Sequence, residues 1–255
     1  MPAFPLVAHR RPDHFISKEL VDRGIWEPYE TQVLLSHLRE GSVFLDLGAN
    51  IGYYTVLASK RCGPGGRVHA FEPEPVNFSL LERNVALNGC ENVNLVHAAA
   101  SDADGHTELY LSDFNQGDHR LYANEAGREH VRVRTVSIDS HFAGSSAIVD
   151  LVKMDTQGCE ARIVAGMVGL MEANRGRLAM IVEYWPFGLE GAGDDAEGLV
   201  RRLAPFGFRV REIDEADRSL RETSWPELLA RAATDLHPAT QGFVNLLLTP
   251  DAAGR

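Results

Sequence analysis

Short apolar runs alternate with longer segments of helical periodicity along this chain of 255 residues. Short apolar runs favour buried strands, and the segments between them favour crossover helices. Seven strands are therefore predicted, at residues 43–47, 67–71, 93–98, 148–154, 178–184, 208–213 and 243–248. Strands and helices that alternate in this order are typical of an α/β fold with one mostly parallel sheet and helices on both of its faces. The last strand is expected to run antiparallel to its neighbours.

Helices are predicted at residues 53–61, 76–88 and 196–205. The second has Leu80, Leu81 and Val85 at helical spacing and should end at Asn88-Gly89, because glycine accepts the left-handed backbone that follows many helices. Another helix should begin at Ser224-Trp225-Pro226-Glu227, where serine can cap and proline suits the first turn. The 40 residues at the start are expected to form an N-terminal helical cap.

Residues 106–136 interrupt the alternation. Two strand-like pieces, HTELYL and VRVRTVSI, flank the polar segment FNQGDHRLYANEAGREH, with no helix between them. This pattern predicts an inserted hairpin, which we expect to act as a substrate lid. Because no linker or low-complexity tract divides the chain, residues 1–255 are expected to form a single domain.

The composition narrows the classes of partner. A formal charge of −11 opposes binding to DNA or RNA, so we expect a small-molecule substrate and no nucleic acid. No apolar run reaches the length of a signal peptide or a membrane span, which predicts a cytoplasmic protein without a membrane partner. Cys62, Cys90 and Cys159 lack a C-x-x-C spacing, so three reduced thiols are expected. A homo-oligomer is left open.

Acidic residues stand at the ends of four predicted strands: Asp46, Glu72, Asp155 and Glu183. Ligands of open α/β sheets bind beyond the carboxyl ends of the strands, near the point where the strand order reverses. We therefore expect these four acids to surround one cleft.

Glu72 lies 20 residues after Gly52, the spacing from which an acid reaches the ribose of an adenosine. Its two oxygens can accept hydrogen bonds from both hydroxyls of a cis-diol. The spacing alone does not separate nicotinamide dinucleotides from other adenosine ligands.

The loop Gly48-Ala49-Asn50-Ile51-Gly52 separates dinucleotides from other adenosine ligands. A dinucleotide loop has the pattern G-x-G-x-x-G, whose second glycine lets the backbone approach a pyrophosphate. Here Asn50 occupies the place of that glycine. The loop therefore favours an adenosine ligand without phosphates.

Several segments together resemble the FkbM family of S-adenosylmethionine-dependent methyltransferases. They are DLGANIGYYT, AFEPEPVNFSLLERNVALNG and VKMDTQGCE, with WEPYET and GFVNLLL also fitting. The resemblance covers roughly residues 24–248, with the motifs in the right order and spacing. It implies the Rossmann-like class I methyltransferase fold, seven-stranded and mostly parallel, and methylation of a hydroxyl on a sugar or natural product.

The resemblance also implies a set of residues that bind S-adenosylmethionine and its product S-adenosylhomocysteine. The loop would surround the methionine part, Glu72 would hold the ribose, and residues 99–102 would line the adenine. A methionine end needs an acid and free backbone N–H groups, which an acid followed by a glycine turn can supply. The full set is Asp46, Gly48, Ala49, Asn50, Gly52, Tyr53, Glu72, Pro73, Ala100, Ser101 and Asp155. Asn77 and Asn84 also match family positions, but asparagines on a helix surface are more often structural, so we leave them out.

Transfer of a methyl group to a hydroxyl needs a base, since a sugar-type hydroxyl keeps its proton at neutral pH. Asp155 is the first candidate, because it ends a strand beside the cofactor strand. Glu183 is the second, and His119 in the insert is the third.

A magnesium ion held by Asp155 and Glu183, with Gln157 or Asn50 beside them, is an alternative that we do not favour. The chain departs from the family here, because Gln157 replaces the acid of a D-x-E-G motif. Two other functions stay open: a nicotinamide-dependent oxidoreductase, suggested by the spacing to Glu72, and an inactive cofactor-binding partner protein, suggested by Gln157.

Overall fold

The computed structural model describes residues 4–9, 15–112, 115–123, 128–145 and 148–251. The strands in these ranges are β1 (Val43–Leu47), β2 (Arg67–Phe71), β3 (Val93–Val96), β4 (Ala99–Ser101), β5 (Gly105–Tyr110), β6 (His130–Ser137), β7 (Leu151–Met154), β8 (Ala179–Tyr184), β9 (Phe208–Asp214), β10 (Ser219–Thr223) and β11 (Val244–Pro250). The helices are α1 (Ile16–Arg23), α2 (Pro28–Ser36), α3 (Tyr53–Cys62), α4 (Pro75–Leu87), α5 (Ile138–His141), α6 (Glu160–Ala165), α7 (Val168–Ala173), α8 (Pro186–Gly191), α9 (Ala196–Leu203) and α10 (Trp225–Ala232).

The central sheet has the strand order β10-β9-β11-β8-β7-β1-β2-β3. The strands from β8 to β3 run parallel, whereas β11 pairs antiparallel with both β8 and β9. The predicted antiparallel last strand is therefore confirmed. The chain proceeds outward in opposite directions from β1 and β7, so the strand order reverses between them. This is the point at which an open α/β sheet forms a ligand crevice.

Helices cover both faces of the sheet, as predicted. Adjacent side chains of a strand point to opposite faces. Phe44 packs in a buried cluster with residues of α2 and α3, whereas Leu45 packs in another with residues of α6, α7 and α9. Lys153 of β7 faces the α2 side, between the two neighbours Val152 and Met154, which face the other. That placement brings a lysine into the interior beside the crevice.

All seven predicted strands are present, but the sheet contains an eighth, β10. Its sequence, SLRET, has one apolar residue, Leu220, so no alternation marked it as a strand. Cross-strand charge pairs accompany the backbone ladder, such as Arg209 Nη2 to Glu222 Oε1 at 2.5 Å. A polar strand of this kind suits the edge of a sheet.

The insert contains β5 and β6, an antiparallel pair at the expected place. This hairpin does not join the central sheet but forms a three-stranded sheet with β4. The predicted third strand stops at Val96 instead of residue 98, because Ala99 pairs with Thr135 of β6. Residues 113–114 and 124–127 of the insert lie outside the described ranges.

Helix boundaries agree with the sequence signals. Helix α4 ends before Asn88 and Gly89, whose φ is +61°, and Ser224 accepts a hydrogen bond from the Glu227 N–H at the start of α10. Helix α9 stops at Leu203 and is followed by a short turn. The first 40 residues contain α1 and α2, with residues 1–3 and 10–14 outside the described ranges. None of the described helices combines the length and apolar character needed to cross a membrane. All three cysteines are free thiols and buried.

Candidate active site

The glycine loop closes tightly at the point where the strand order reverses. Gly48 has a φ of +88°, and a Cβ on it would lie 2.2 Å from the backbone oxygen of Asp155. Gly52 has a φ of +89°, and its Cβ would lie 2.6 Å from Leu81 Cδ1. Only glycine satisfies both demands at each position. The loops after β1 and β7 therefore lie in contact.

The N–H groups of this loop are bonded within the protein. The N–H groups of Gly48 and Ala49 both donate to the Phe71 carbonyl, at 3.0 and 2.9 Å, and that of Gly52 donates to the Ala49 carbonyl at 2.9 Å. The prediction that this loop offers free N–H groups to a ligand is wrong. The reason is the close packing of the loop on the end of β2.

Asn50 connects three parts of the site. With a φ of +49°, it donates its backbone N–H to Glu72 Oε2 at 2.8 Å. Its side-chain Nδ2 donates to the Gln116 carbonyl of the insert at 3.0 Å. A short polar residue tolerates this left-handed backbone better than most residues. Asn50 thus fixes Glu72 and the insert relative to the loop.

Glu72 is a buried carboxylate at the end of β2. Its oxygens accept the N–H groups of Asn50 at 2.8 Å and of Glu74 at 2.9 Å. Burial raises the pKa of Glu72 to about 7, although both of these hydrogen bonds favour the charged form. The carboxyl group therefore titrates near neutral pH.

Asp46 lies away from the ligand space, contrary to prediction. It is 1% exposed and accepts a hydrogen bond from Thr55 Oγ1 of α3 at 2.5 Å. Burial raises its pKa to about 6. Its side chain points to the face covered by α3, so it supports the loop from behind.

Three spaces that share lining residues lie near the carboxyl ends of the central strands. The central cavity lies between the ends of β1 and β2, strand β4 and the insert. Its lining includes the predicted residues Gly48, Asn50, Glu72, Pro73, Ala100 and Asp155, together with Asn77, Leu109, Gln116, His119 and Leu121, which were not predicted to bind the cofactor. Ser101 does not line it, because its hydroxyl turns to Asp102 Oδ1 at 2.9 Å.

The two other spaces share Asp155 with the central cavity. The α3 cavity is lined by Gly48, Ala49, Asn50, Tyr53, Tyr54, Lys153 and Asp155, among others. The outer cleft is lined by Trp26, Glu27, Arg120, Asp155, Gln157, Glu183 and Trp185, among others. Asp155 therefore stands where all three spaces meet. Gly52 lines none of them and shapes the start of α3.

Two buried polar atoms, on residues that line the central cavity, have no partner among the described residues. Asn77 is 1% exposed; its Nδ2 donates to the Gln116 carbonyl at 3.2 Å, and its Oδ1 is left as an acceptor. His119 Nδ1 accepts the Ser112 N–H at 3.0 Å, so Nε2 carries the proton and is left as a donor. Buried polar groups are nearly always hydrogen-bonded. The cavity is therefore suited to a ligand that carries both donors and acceptors.

His119 is placed as a hydrogen-bond donor instead of the predicted base. Burial lowers its pKa, which keeps the ring neutral, and its one basic nitrogen is already bonded to Ser112. The insert does bring it to the cavity, as the sequence suggested.

Asp155 and Glu183 lie on either side of Gln157. The Gln157 amide Nε2 donates to Asp155 Oδ1 at 2.9 Å and to Glu183 Oε2 at 3.4 Å. Gln157 has a φ of +56°, a left-handed backbone that costs free energy in a residue other than glycine. Burial, followed by the charge of Asp155, raises the pKa of Glu183 well above its ordinary value. The amide of Gln157 thus bridges two acids. The D-x-E-G motif described above would have a third acid at the position of Gln157.

A buried charge cluster supports Asp155 from the α2 side. Lys153 Nζ lies 3.0 Å from Glu30 Oε1 and 3.3 Å from Asp155 Oδ2. Burial acts to lower the pKa of Lys153, but Glu30 and Asp155 outweigh it and raise the pKa well above its ordinary value. The Tyr54 hydroxyl donates to Glu27 Oε2 at 2.9 Å. Sequence reasoning missed Glu27, Glu30 and Lys153, although the motifs WEPYET and VKMDTQGCE contain them.

Within the described ranges, no group of three or more histidine, cysteine, aspartate or glutamate side chains is arranged to hold a metal ion. Asp155 and Glu183 are brought together, as the magnesium alternative requires, but the amide of Gln157 lies between them.

Comparison with known proteins assigns this sequence to a family. A family model described as the methyltransferase FkbM domain matches residues 46–210. The methyltransferase sdnD of Sordaria araneosa is 27% identical over 164 residues, which cover 52% of this chain and 63% of that protein. The 31-O-demethyl-FK506 methyltransferase FkbM of Streptomyces tacrolimicus is 51% identical over 47 residues, or 18% of each chain. The chain spans about three fifths of the length of the first curated relatives it matches.

Solved structures share the fold at low identity. A SAM dependent methyltransferase from Aquifex aeolicus aligns with a TM-score of 0.50 and 14% identity, over 92% of this chain and 96% of that one. A putative rRNA-methylase from Clostridium thermocellum aligns with a TM-score of 0.50 and 12% identity, over 88% and 96%. The predicted class I methyltransferase fold is confirmed. The family model covers more than half of this chain, so the chain belongs to the FkbM methyltransferase domain family.

Proposed function

We propose that the protein is an S-adenosylmethionine-dependent O-methyltransferase that acts on a hydroxyl of a sugar or natural product. Family membership supports methyl transfer, and the FkbM protein of Streptomyces tacrolimicus carries 31-O-demethyl-FK506 in its name. The observation that carries the proposal is the central cavity, where Glu72 lies with an unpartnered acceptor on Asn77 and an unpartnered donor on His119.

These groups fit the adenosine part of the cofactor. Glu72 would accept from the ribose diol, and Asn77 and His119 would supply an acceptor and a donor for the remaining polar edges. Ala99 and Ala100 offer the small apolar wall against which a flat ring packs.

The methionine end would extend past Gly48 into the α3 cavity. There Asp155 can accept from the ammonium group, and Lys153 can donate to the carboxylate. This replaces the predicted role of Asp46 and of the loop N–H groups.

The cofactor supplies an electrophilic methyl group when bound. Because the reaction is an in-line displacement, most of the catalysis lies in alignment of the acceptor. Asp155 is suited to orient the acceptor hydroxyl, since it stands where the outer cleft meets the cofactor space and is itself held by Lys153 and Gln157. Trp26 and Trp185 line the outer cleft and can pack on a ring or sugar face.

A screen with S-adenosylmethionine labelled at the methyl group tests the proposal. Wild-type protein should transfer label to a hydroxyl-bearing acceptor, and the product should resist mild alkali, because a methyl ether survives where a methyl ester is hydrolysed. Activity should be unchanged after treatment with EDTA, because the amide of Gln157 occupies the space between the two acids. Binding of the cofactor without transfer to any acceptor would favour an inactive partner protein, and tight binding of NADH would favour the oxidoreductase.

A further inference from the structure

We propose that Glu27 is the catalytic base, the group that takes the proton of the acceptor hydroxyl during methyl transfer. The inference rests on the proposed function and names a residue outside the three bases that the sequence suggested.

The backbone of Glu27 is strained in a way that the helix does not require. Glu27 precedes α2 with φ and ψ of +40° and +72°, a left-handed conformation that is costly for a residue with a side chain. Residues at this position often cap the helix with a short polar side chain, as serine, threonine, aspartate and asparagine do, but Glu27 makes no such bond. Instead Glu215, at the tip of the β9–β10 hairpin, accepts the N–H groups of Tyr29 and Glu30, at 3.1 and 2.5 Å.

The strained backbone therefore places the Glu27 side chain away from the helix cap. Its Oε2 accepts the Tyr54 hydroxyl at 2.9 Å, and the residue lines the outer cleft together with Asp155 and Glu183. Strained backbones cluster at sites where a side chain must be held ready for function. The side chain is thus presented to the space that we assign to the acceptor.

The three acids of the outer cleft differ in their partners. Asp155 contacts Lys153 and Gln157, and Glu183 contacts Gln157. Among the described residues, Lys153 forms ion pairs with Glu30 and Asp155. The hydrogen-bond partner of Glu27 is instead the neutral hydroxyl of Tyr54. A carboxylate without a contacting cation holds a proton more strongly than one beside an ammonium group. Asp155, beside Lys153, is therefore suited to orient a hydroxyl. Within the described ranges Glu183 also lacks a contacting cation, but the strained backbone distinguishes Glu27 as the acid that receives the proton.

Charged and titratable groups face Glu27 from each neighbouring element. They are Glu30 of α2, Tyr54 of α3, Lys153 of β7, Asp155 after β7 and Glu183 of β8. Burial, followed by the charge of Glu30, raises the pKa of Glu27 to about 8, while Lys153 and the Tyr54 hydroxyl act to lower it. Catalysis by a base is most efficient when its pKa is near the working pH.

The atoms balance in a single displacement. The acceptor oxygen forms a bond to the methyl carbon as the carbon–sulfur bond breaks, and the electron pair of that bond stays on sulfur in S-adenosylhomocysteine. The hydroxyl proton passes to the Glu27 carboxylate and then leaves through the outer cleft to solvent.

The test compares Glu27→Gln with wild type, using the acceptor found by the labelled-methyl screen. Because glutamine can still accept the Tyr54 hydrogen bond, calorimetry should show unchanged binding of S-adenosylhomocysteine. We expect kcat to fall by about 100-fold or more. The rise of kcat with pH toward 8 should disappear in this variant, and Glu40→Gln, at an exposed position, should behave as wild type.

The variant Tyr54→Phe separates a catalytic base from a merely structural residue, because only a base would change the pH dependence of kcat. It removes a hydrogen bond that lowers the pKa of Glu27, so the rise of kcat should shift to higher pH while the base is retained. Wild-type transfer with normal kcat and pH dependence in Glu27→Gln would overturn this inference alone. Failure of wild type to transfer methyl to any acceptor would overturn the proposed function as well.

Discussion

At the scale of single residues, the proposed cofactor site should depend on the protonation of Glu72. Hydroxyl groups of a ribose would donate to its carboxylate and so bind the ionised form, whereas the free protein holds the group at a pKa of about 7. Affinity should therefore rise as pH increases through 7 and level off above it, by about tenfold between pH 6 and 8.

Calorimetry with 5′-methylthioadenosine measures this effect without the titrating amino group of the methionine end. Glu72→Gln should bind weakly and with no dependence on pH, and the exposed control Glu91→Gln should follow wild type. An affinity of wild type that stays constant from pH 6 to 8 would contradict the role of Glu72.

The sequence gives the position of a residue along a strand but not the partners of its atoms. The spacing from the glycine loop pointed to Glu72, which does lie in the central cavity. The same reasoning misplaced Asp46, because the pleat of β1 turns that side chain toward Thr55 of α3. Glu27 was missed because a left-handed backbone at a residue other than glycine leaves no mark in a sequence pattern.

At the scale of elements, contact between the loops after β1 and β7 should be a large part of the stability of the site. Gly48→Ala adds a Cβ that would overlap the Asp155 backbone and also strains a φ of +88°. Gly89→Ala is a matched control, since its φ is +61° and nothing lies within 4 Å of its Cβ.

The control should lose about 1–2 kcal/mol of unfolding free energy from backbone strain alone. Gly48→Ala should lose at least about 2 kcal/mol more in chemical denaturation, because the overlap is with backbone that cannot turn away. Equal losses in the two variants would contradict the close approach of the loops.

The insert should depend on Asn50 for its position. Asn50→Gly keeps a left-handed backbone available but removes the side-chain hydrogen bond to Gln116. Amide hydrogen exchange at residues 115–120 should become faster, and Arg218→Gly, at a distant turn with a φ of +51°, should leave it unchanged. Unchanged exchange in Asn50→Gly would show that other contacts hold the insert.

Strands that form apolar runs could be predicted from the sequence. Strands that are recognised only by their pairing with other segments were harder to predict. Burial of β7 and β8 on both faces produces nearly continuous apolar runs, interrupted only by Lys153 and Glu183, and these runs mark the two strands in the sequence. The polar edge strand β10 has no such run. The hairpin of β5 and β6 was predicted from its sequence, but its pairing with β4, outside the central sheet, depends on contacts between distant segments.

At the scale of the whole molecule, the cofactor should stabilise the fold, since in the proposed site it would contact β1, β2, β7 and the insert together. A ligand at 100 times its dissociation constant adds about 2.7 kcal/mol. S-adenosylhomocysteine should then raise Tm by about 5–10 °C, whereas NADH should not. A larger shift with NADH would support the oxidoreductase alternative.

A crystal structure of the protein with S-adenosylhomocysteine would show directly whether the central cavity holds the cofactor. We expect the ribose hydroxyls to lie within hydrogen-bonding distance of Glu72 in the central cavity, and the sulfur to face Asp155 at the opening to the outer cleft. Binding of S-adenosylhomocysteine at any other place, with the central cavity closed by the insert, would contradict the proposed site.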